Sequence, residues 1–346
     1  MIRYELATES DDKVLRDLLK NNGMTSWVDI TMEREPSYFA GVNRVTRDFA
    51  VVARDGKQTV GMYSCSLQSV YLNGDACTQG YLGGLRVNLP YRNKIKVLQD
   101  GYASIQKLVP AGDHPFWFTS VATENTKARR LLERGLPRMP SYNLSGELVT
   151  LVLPVAQGRP LNLWRCATES DISAILDFYN GEASKFQYAP VLSESLIHYV
   201  GLENFLIYGE DNIQACLAIW DQSSFKQIVA RAYQPMLQSV RPLYNLYARL
   251  TNRIRLPATG QPLSQSFLAF AAFSQKSMVH AVDLVRDVLH RCSTETAVIG
   301  LHDKHPLLRN LNILKPLIYR TCIYAVSFDN KPILDGRHVQ PEVALL

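Results

Sequence analysis

Several groups of residues in this chain have types and spacing suited to chemistry. Arg92, Lys94 and Lys96 cluster at the start of segment 95–108, which reads as a helix. A helix N-terminus presents unpaired backbone N–H groups and about half a positive charge. The turn Arg92-Asn93-Lys94-Ile95-Lys96-Val97 therefore suits a phosphate-bearing ligand. Segment 125–134, also helical in pattern, opens on Asn125 and carries Lys127, Arg129, Arg130 and Arg134, either as a solvated face or as further phosphate contacts. His302-Asp303-Lys304-His305 has H-x-x-H spacing after a strand-like run, the pattern of an acid–base or metal site. Two histidines and one acid do not specify a metal, and none is expected. Segment 241–255 interleaves arginine with tyrosine, types used on nucleic acid. Its apolar spacing predicts instead an amphipathic helix with Leu243, Leu246, Tyr247 and Leu250 inward and the arginines in water, so no nucleic-acid partner is expected.

Other chemistries are excluded early, because the chain has no G-x-S-x-G elbow, no Walker loop and no dinucleotide-binding glycine triplet. The net charge of +5 and pI near 8.8 favour an anionic ligand but fall short of a dedicated nucleic-acid binder. Cys65, Cys77, Cys166, Cys216, Cys292 and Cys322 form no C-x-x-C pair and read as reduced thiols. No stretch approaches the roughly 20 apolar residues of a membrane span. Glu9, Asp11 and Asp12 stand where a secretory signal would be apolar. The expectation is a cytoplasmic protein without a membrane partner; the sequence is silent on oligomeric state.

The elements that must hold these residues come in two similar sets. With 346 residues, 47% hydrophobic and 20% charged, the chain has material for two domains with cores of their own. Ala7-Thr8-Glu9-Ser10-Asp11 recurs as Ala167-Thr168-Glu169-Ser170-Asp171. Each copy follows a short apolar run and precedes one helical face, Val14, Leu15, Leu18 and Leu19 in the first and Ala174, Ile175, Phe178 and Tyr179 in the second. Thr-Glu-Ser-Asp fits a capping box, in which hydroxyl and carboxylate satisfy N–H groups of the first turn. Both halves thus open strand, capped turn, helix. The Pro and Gly punctuation of 153–160 separates domains at 1–153 and 161–346. Asp55-Gly56 and Asn73-Gly74 mark hairpins in the first half. The second half reads as a hairpin over 205–220, a strand over 266–273, a helix over 277–292 and strands over 296–301 and 317–328.

At the first turn named above, order and residues resemble the GNAT superfamily of acyl-CoA-dependent N-acetyltransferases. The strand Tyr81-Leu82-Gly83-Gly84-Leu85-Arg86-Val87, then Pro90-Tyr91-Arg92-Asn93-Lys94 and a helix, resembles that family's cofactor motif. Asn125-Thr126-Lys127-Ala128-Arg129-Arg130-Leu131-Leu132-Glu133-Arg134-Gly135-Leu136 resembles its N-x-x-A-x-x-L-Y-x-x-x-G-F segment. The resemblance implies two tandem α/β (α+β) domains of GNAT type, each a mixed, mostly antiparallel sheet flanked by helices. It implies an N-acyltransferase that uses acetyl-CoA or another acyl-CoA as cosubstrate and a small-molecule or peptide amine as acceptor. By resemblance, backbone groups of Leu85 and Val87 meet the pantetheine arm, the turn Arg92, Asn93, Lys94, Ile95, Lys96 and Val97 holds the pyrophosphate, and Asn125 makes a further polar contact. Where the family's loop has R-x-x-G-x-G/A, this chain has Ile95 and Val97 at the small positions, and the family's tyrosine falls at Leu132. No catalytic acid or base is assigned; Tyr142 is the one candidate substitute. These departures give the alternative reading, an inactive GNAT-fold protein that binds CoA or another ligand as regulator or sensor. The turn Ser274-Gln275-Lys276-Ser277 has neither arginine nor a glycine pair, so the second half is expected to have lost CoA binding.

Overall fold

The computed structural model describes residues 2–24, 27–92, 94–329 and 332–346. The first half runs β1 (Ile2–Leu6), α1 (Asp12–Asn21), β2 (Val28–Glu33), β3 (Arg47–Asp55), β4 (Gln58–Leu72), β5 (Asp75–Val87), α2 (Ile95–Leu108), β6 (Trp117–Ala122), α3 (Thr126–Leu132) and β7 (Ser141–Pro154). The second runs β8 (Arg165–Cys166), α4 (Ile172–Ala183), α5 (Glu194–Val200), β9 (Phe205–Tyr208), β10 (Ala215–Trp220), β11 (Gln227–Tyr233), α6 (Pro235–Leu250), β12 (Gln265–Phe273), α7 (Ala281–Arg291), β13 (Thr296–His302), α8 (Leu307–Asn310) and β14 (Leu317–Ser327).

Both capping boxes form: the N–H of Thr8 donates to Asp11 at 3.0 Å and that of Thr168 to Asp171 at 2.9 Å. Each aspartate also pairs with an arginine, Arg54 and Arg165. The caps start α1 and α4, whose apolar faces lie on one side of the sheet: Leu15, Leu18 and Leu19 against Val52 and Met62, and Ile175 and Tyr179 against Ala218 and Phe270. The other side is covered by α2, through Tyr102 and Ile105, and by α7, through Leu284 and Val288.

Among the described residues twelve strands form one continuous sheet, ordered β1-β3-β4-β5-β6-β14-β7-β13-β12-β10-β9-β8, and β2 pairs with β11 in a small separate ladder. The pairing is antiparallel except at β5–β6 and β12–β13. The mixed, mostly antiparallel sheets expected for two tandem domains are therefore joined edge to edge. The join is an exchange of last strands: β14 lies between β6 and β7, and β7 between β14 and β13. Hydrogen-bonded pairing thus runs across the expected boundary near 153–160.

The link between halves is tied down by one carboxylate. Asp287 on α7, 1% exposed, accepts the backbone N–H groups of Leu161 (2.9 Å), Asn162 (3.1 Å), Leu163 (2.8 Å) and Trp164 (3.2 Å). Asn162 sits at φ 55°, and that left-handed residue curls successive N–H groups into a nest for the anion.

Candidate functional site

The candidate site is a wedge between β5 and β6. These parallel strands pair at three positions only, Gly80–Trp117, Tyr81–Phe118 and Leu82–Thr119. Beyond them β5 continues to Val87 alongside β4, and β6 to Ala122 alongside β14, so the two part. Parted strands turn unpaired backbone edges toward the gap, which an amide-bearing chain can fill as an added strand. The hydroxyls of Tyr81 and Ser120 share a 2.7 Å hydrogen bond at the apex.

A bulge in β5 drives the parting. Ser64 pairs with Gly83 and Met62 with Arg86, so Gly84 and Leu85 together face Tyr63. An extra residue bends a strand and leaves N–H groups outside the ladder. Gly84 takes φ 63°, and a Cβ there would lie 2.8 Å from Ser64 Oγ, so glycine is the residue that fits without strain or crowding. Leu85 is turned outward and exposed.

The other residues expected at the site surround the wedge with differing freedom. Ile95 and Lys96 open α2 and are exposed. Val97 is buried; its N–H donates to Lys94 O at 2.9 Å, and its carbonyl accepts the Tyr4 hydroxyl at 2.6 Å. Burial pushes Tyr4 up to about 12, so it remains a neutral donor. Arg92 is bound within the fold: Nε donates to Val87 O at 2.9 Å and a terminal nitrogen to Asn22 Oδ1 at 2.7 Å, clipping the end of β5 to the end of α1. Lys94 lies over the Tyr91 ring at 4.4 Å, and Lys96 reaches Asp100 at 3.3 Å. Asn125 is exposed and caps α3 by accepting the N–H of Ala128 at 3.2 Å. Asn93 lies outside the described residues. Leu85 and Val87 thus lie at the end of β5, Ile95 and Lys96 at the start of the helix that follows it, and Asn125 after the end of β6, while Arg92 and Val97 are bonded within the fold.

Tyr142 is a packing residue. It is enclosed between Tyr102 and Tyr324, shares a hydrogen bond with the Tyr102 hydroxyl, and burial raises its pKa well above the ordinary value. Sequence reading did not single out Tyr324. It comes from β14, opposite Thr119 of β6, and its hydroxyl donates to Glu133 and accepts from Arg129 Nε at 3.0 Å. The last strand of the second half therefore brings a phenol beside α3, next to the turn that carries Leu132. No local motif marks it, because the strand exchange alone places it there.

The second half repeats the framework in closed form. β12 and β13 pair at three positions, Gln265–Thr296, Ser266–Ala297 and Phe267–Val298. A bulge between β10 and β12 sets Phe270 at φ 52°, matching Gly84. Here the bulge N–H is already used: Phe270 N–H donates to Glu342 Oε2 at 2.8 Å, and Glu342 Oε1 accepts the N–H of Ala344 at 3.0 Å. Burial pushes the Glu342 carboxyl up to about 7 despite these donors. Leu307, Leu311 and Leu314, which follow β13, are fully buried with Leu284 and Val285, whereas α3 after β6 buries no residue. The turn before α7 caps itself, Ser277 N–H donating to Ser274 Oγ at 3.3 Å.

Two other features lie away from the wedge. Burial pulls His302 down to about 4 and His305 to about 3, so both are neutral imidazoles near pH 7. His302, Asp303 and His338 bring ligand atoms within 4.8 Å of one another, but the rings of His302 and His338 are stacked 4.6 Å apart with planes 1° from parallel. Imidazole lone pairs lie in the ring plane, so stacked rings do not aim at one ion. A cavity of about 590 Å³ is lined by Cys166, Tyr199, Glu203, Trp220, Phe225 and Arg291 in the second half.

No family model and no curated protein matches the sequence. Solved structures do resemble the fold. An N-myristoyltransferase of Saccharomyces cerevisiae with bound myristoyl-CoA has a TM-score of 0.60 over 96% of this chain and 84% of its own, at 10% identity. A GCN5-related N-acetyltransferase from Anabaena variabilis has a TM-score of 0.52 over 94% and 72%, at 11% identity. A conserved protein of unknown function from Enterococcus faecalis, described as a probable N-acyltransferase, has a TM-score of 0.50 over 95% and 73%, at 10% identity. At these identities the likeness is one of fold.

Proposed function

We propose that this chain, which carries the GNAT fold in tandem, is an N-acyltransferase that moves an acyl group from acyl-CoA to an amine. The carrying observation is the open wedge between β5 and β6 set beside its closed counterpart in the second half. Pantetheine lies along Leu85 to Val87 as an added strand. The pyrophosphate meets the start of α2 at Ile95 and Lys96, with Lys94 swinging off Tyr91 to join it. Backbone N–H groups of the Gly84–Leu85 bulge polarise the thioester carbonyl, as the matching N–H of Phe270 holds a carboxylate oxygen of Glu342. The amine attacks that carbonyl carbon, the C–S bond breaks, and CoA leaves as the thiol while the amine loses a proton. Holding both reactants in one cleft supplies much of the acceleration. The acceptor is a small-molecule or peptide amine, and acetyl-CoA or a longer acyl-CoA is the donor. The setting is cytoplasmic.

A second reading, ligand binding without turnover, has its own support. Leucine at 132 offers no proton to a departing thiolate, and Val97 has spent its N–H on Lys94. Release of free thiol from acetyl-CoA and from long-chain acyl-CoA, across a panel of amines, separates the two. Amine-dependent thiol release supports transfer. Acyl-CoA binding with no thiol released from any amine supports the second. Arg92→Ala is expected to weaken acyl-CoA binding by about tenfold, because the clip that holds β5 against α1 is lost.

A further inference from the structure

Helix α6 is turned inside out, and this is independent of the acyltransfer reading. The sequence pattern places Leu243, Leu246, Tyr247 and Leu250 inward, whereas all four are exposed. With Met236 and Val240 they form a stripe whose members are 43% to 77% exposed. At 100° per residue the six fall within an arc of roughly 120°. The opposite face is the anchored one. Arg241 donates to Pro257 O at 2.9 Å, the Tyr244 hydroxyl to Ile254 O at 3.1 Å, and Asn245 exchanges two hydrogen bonds with Leu256. Ala248 is the helix's buried residue. The polar face is thus consumed by the returning segment 254–257, and the apolar face is presented to solvent. A contiguous exposed apolar stripe marks an interaction surface.

The surrounding charge selects the partner. Between Asp221 and Asp283 the chain contains no acidic residue, only lysine and arginine among its charged groups. Arg249 and Arg253 are exposed at the C-terminal end of the stripe, Arg253 lying over the Tyr247 ring at 5.9 Å. At the other end Trp27, 62% exposed, accepts the N–H of Gln234 at 3.1 Å just before the helix starts. An apolar face with cations beside it and an indole at one end is the pattern of a helix lying in a membrane interface, where side chains enter the acyl boundary and cations meet headgroup phosphates. A second copy of this surface would bring Arg249 and Arg253 against arginine, and Glu295, the acid beside them, is already paired with Arg255.

We propose that α6 and Trp27 form a docking surface for an anionic lipid bilayer, with Met236, Val240, Leu243, Tyr247 and Leu250 entering the interface and Arg249 and Arg253 on phosphates. The test is co-sedimentation of the full chain with vesicles of phosphatidylcholine alone and of phosphatidylcholine mixed with phosphatidylserine, at low and high salt. The wild type is expected to bind the mixed vesicles at least about tenfold tighter than the neutral ones, and more weakly in salt. Leu243→Ser with Leu250→Ser is expected to lose binding by more than about tenfold. Arg249→Gln with Arg253→Gln is expected to lose the preference for phosphatidylserine. Both variants keep the wild-type melting temperature, since these side chains are outside the core. Absence of binding to either vesicle overturns the proposal. So does a wild-type dimer in light scattering that the leucine variant dissociates, which would make a second copy the partner. Retention on RNA without retention on vesicles overturns it equally.

Discussion

Asp287→Ala is expected to destabilise the protein by about 3–5 kcal/mol, because four backbone N–H groups of the inter-half link lose their buried acceptor at once. For a chain of this size that is about 4–7 °C in Tm. The loss extends past the link. The N–H of Trp164 is one of the four, its indole donates to Leu284 O at 2.8 Å, and its carbonyl accepts from Arg291. Burial acts to raise the Asp287 carboxyl, but the N–H groups, led by that of Leu161, outweigh it and hold the carboxyl below the ordinary range. A carboxyl lowered by folding contributes stability above its unfolded pKa of about 3.9, and that contribution is lost as pH falls through the lower folded value. Wild type and Asp287→Ala are therefore expected to differ fully at neutral pH and to converge only in strong acid. Thermal melts of both proteins across pH check this; a constant gap down to strong acid would mean that the carboxylate charge is not what holds the link.

Gly84→Val is expected to reduce acyl transfer by about a hundredfold or more, through loss of the bulge N–H groups proposed to face the thioester. A β-branched residue at φ 63° costs on the order of 1–3 kcal/mol in backbone strain, before the contact with Ser64 is counted. The strand relieves this by straightening, which closes the wedge. Gly84→Ala is the milder form, and Ser64→Ala combined with it is expected to recover part of the activity by removing the hydroxyl 2.8 Å from the new Cβ. Circular dichroism separates loss of the bulge from loss of the fold. Full activity in folded Gly84→Val would show that the bulge takes no part.

Local features were legible in the sequence. The Thr-Glu-Ser-Asp caps, the Asp55-Gly56 and Asn73-Gly74 turns and the strand–turn–helix around Arg92 depend on neighbours in the chain, and their residues have distinct conformational needs. The strand exchange was not legible. Apolar runs such as those of β7 and β14 mark buried strands without naming their partners, and the ladders that join the halves link residues far apart in sequence. The small ladder of β2 and β11 was missed for the same reason. In α6 the spacing of leucines identified the apolar face correctly but carried no information on which way it points. The bulges were not read from the sequence: Gly84 lies within the strand run 81–87, and Phe270 holds the matching left-handed conformation with no glycine to signal it. For the candidate site, spacing located the strand and helix ends. Arg92, however, points back onto Val87 and Asn22, and Tyr324 and Glu342 arrive from distant segments.

The central claim is that one wedge, in the first half, holds acyl-CoA. Calorimetric titration of the full chain with acetyl-CoA and with a long-chain acyl-CoA tests it most directly, for the wild type and for Gly84→Val. The account predicts one molecule bound per chain, with binding lost or weakened at least about tenfold in the variant. Two molecules per chain would contradict the closure of the second half by Glu342 and the leucines after β13, and no binding of any acyl-CoA would contradict the assignment of the wedge itself.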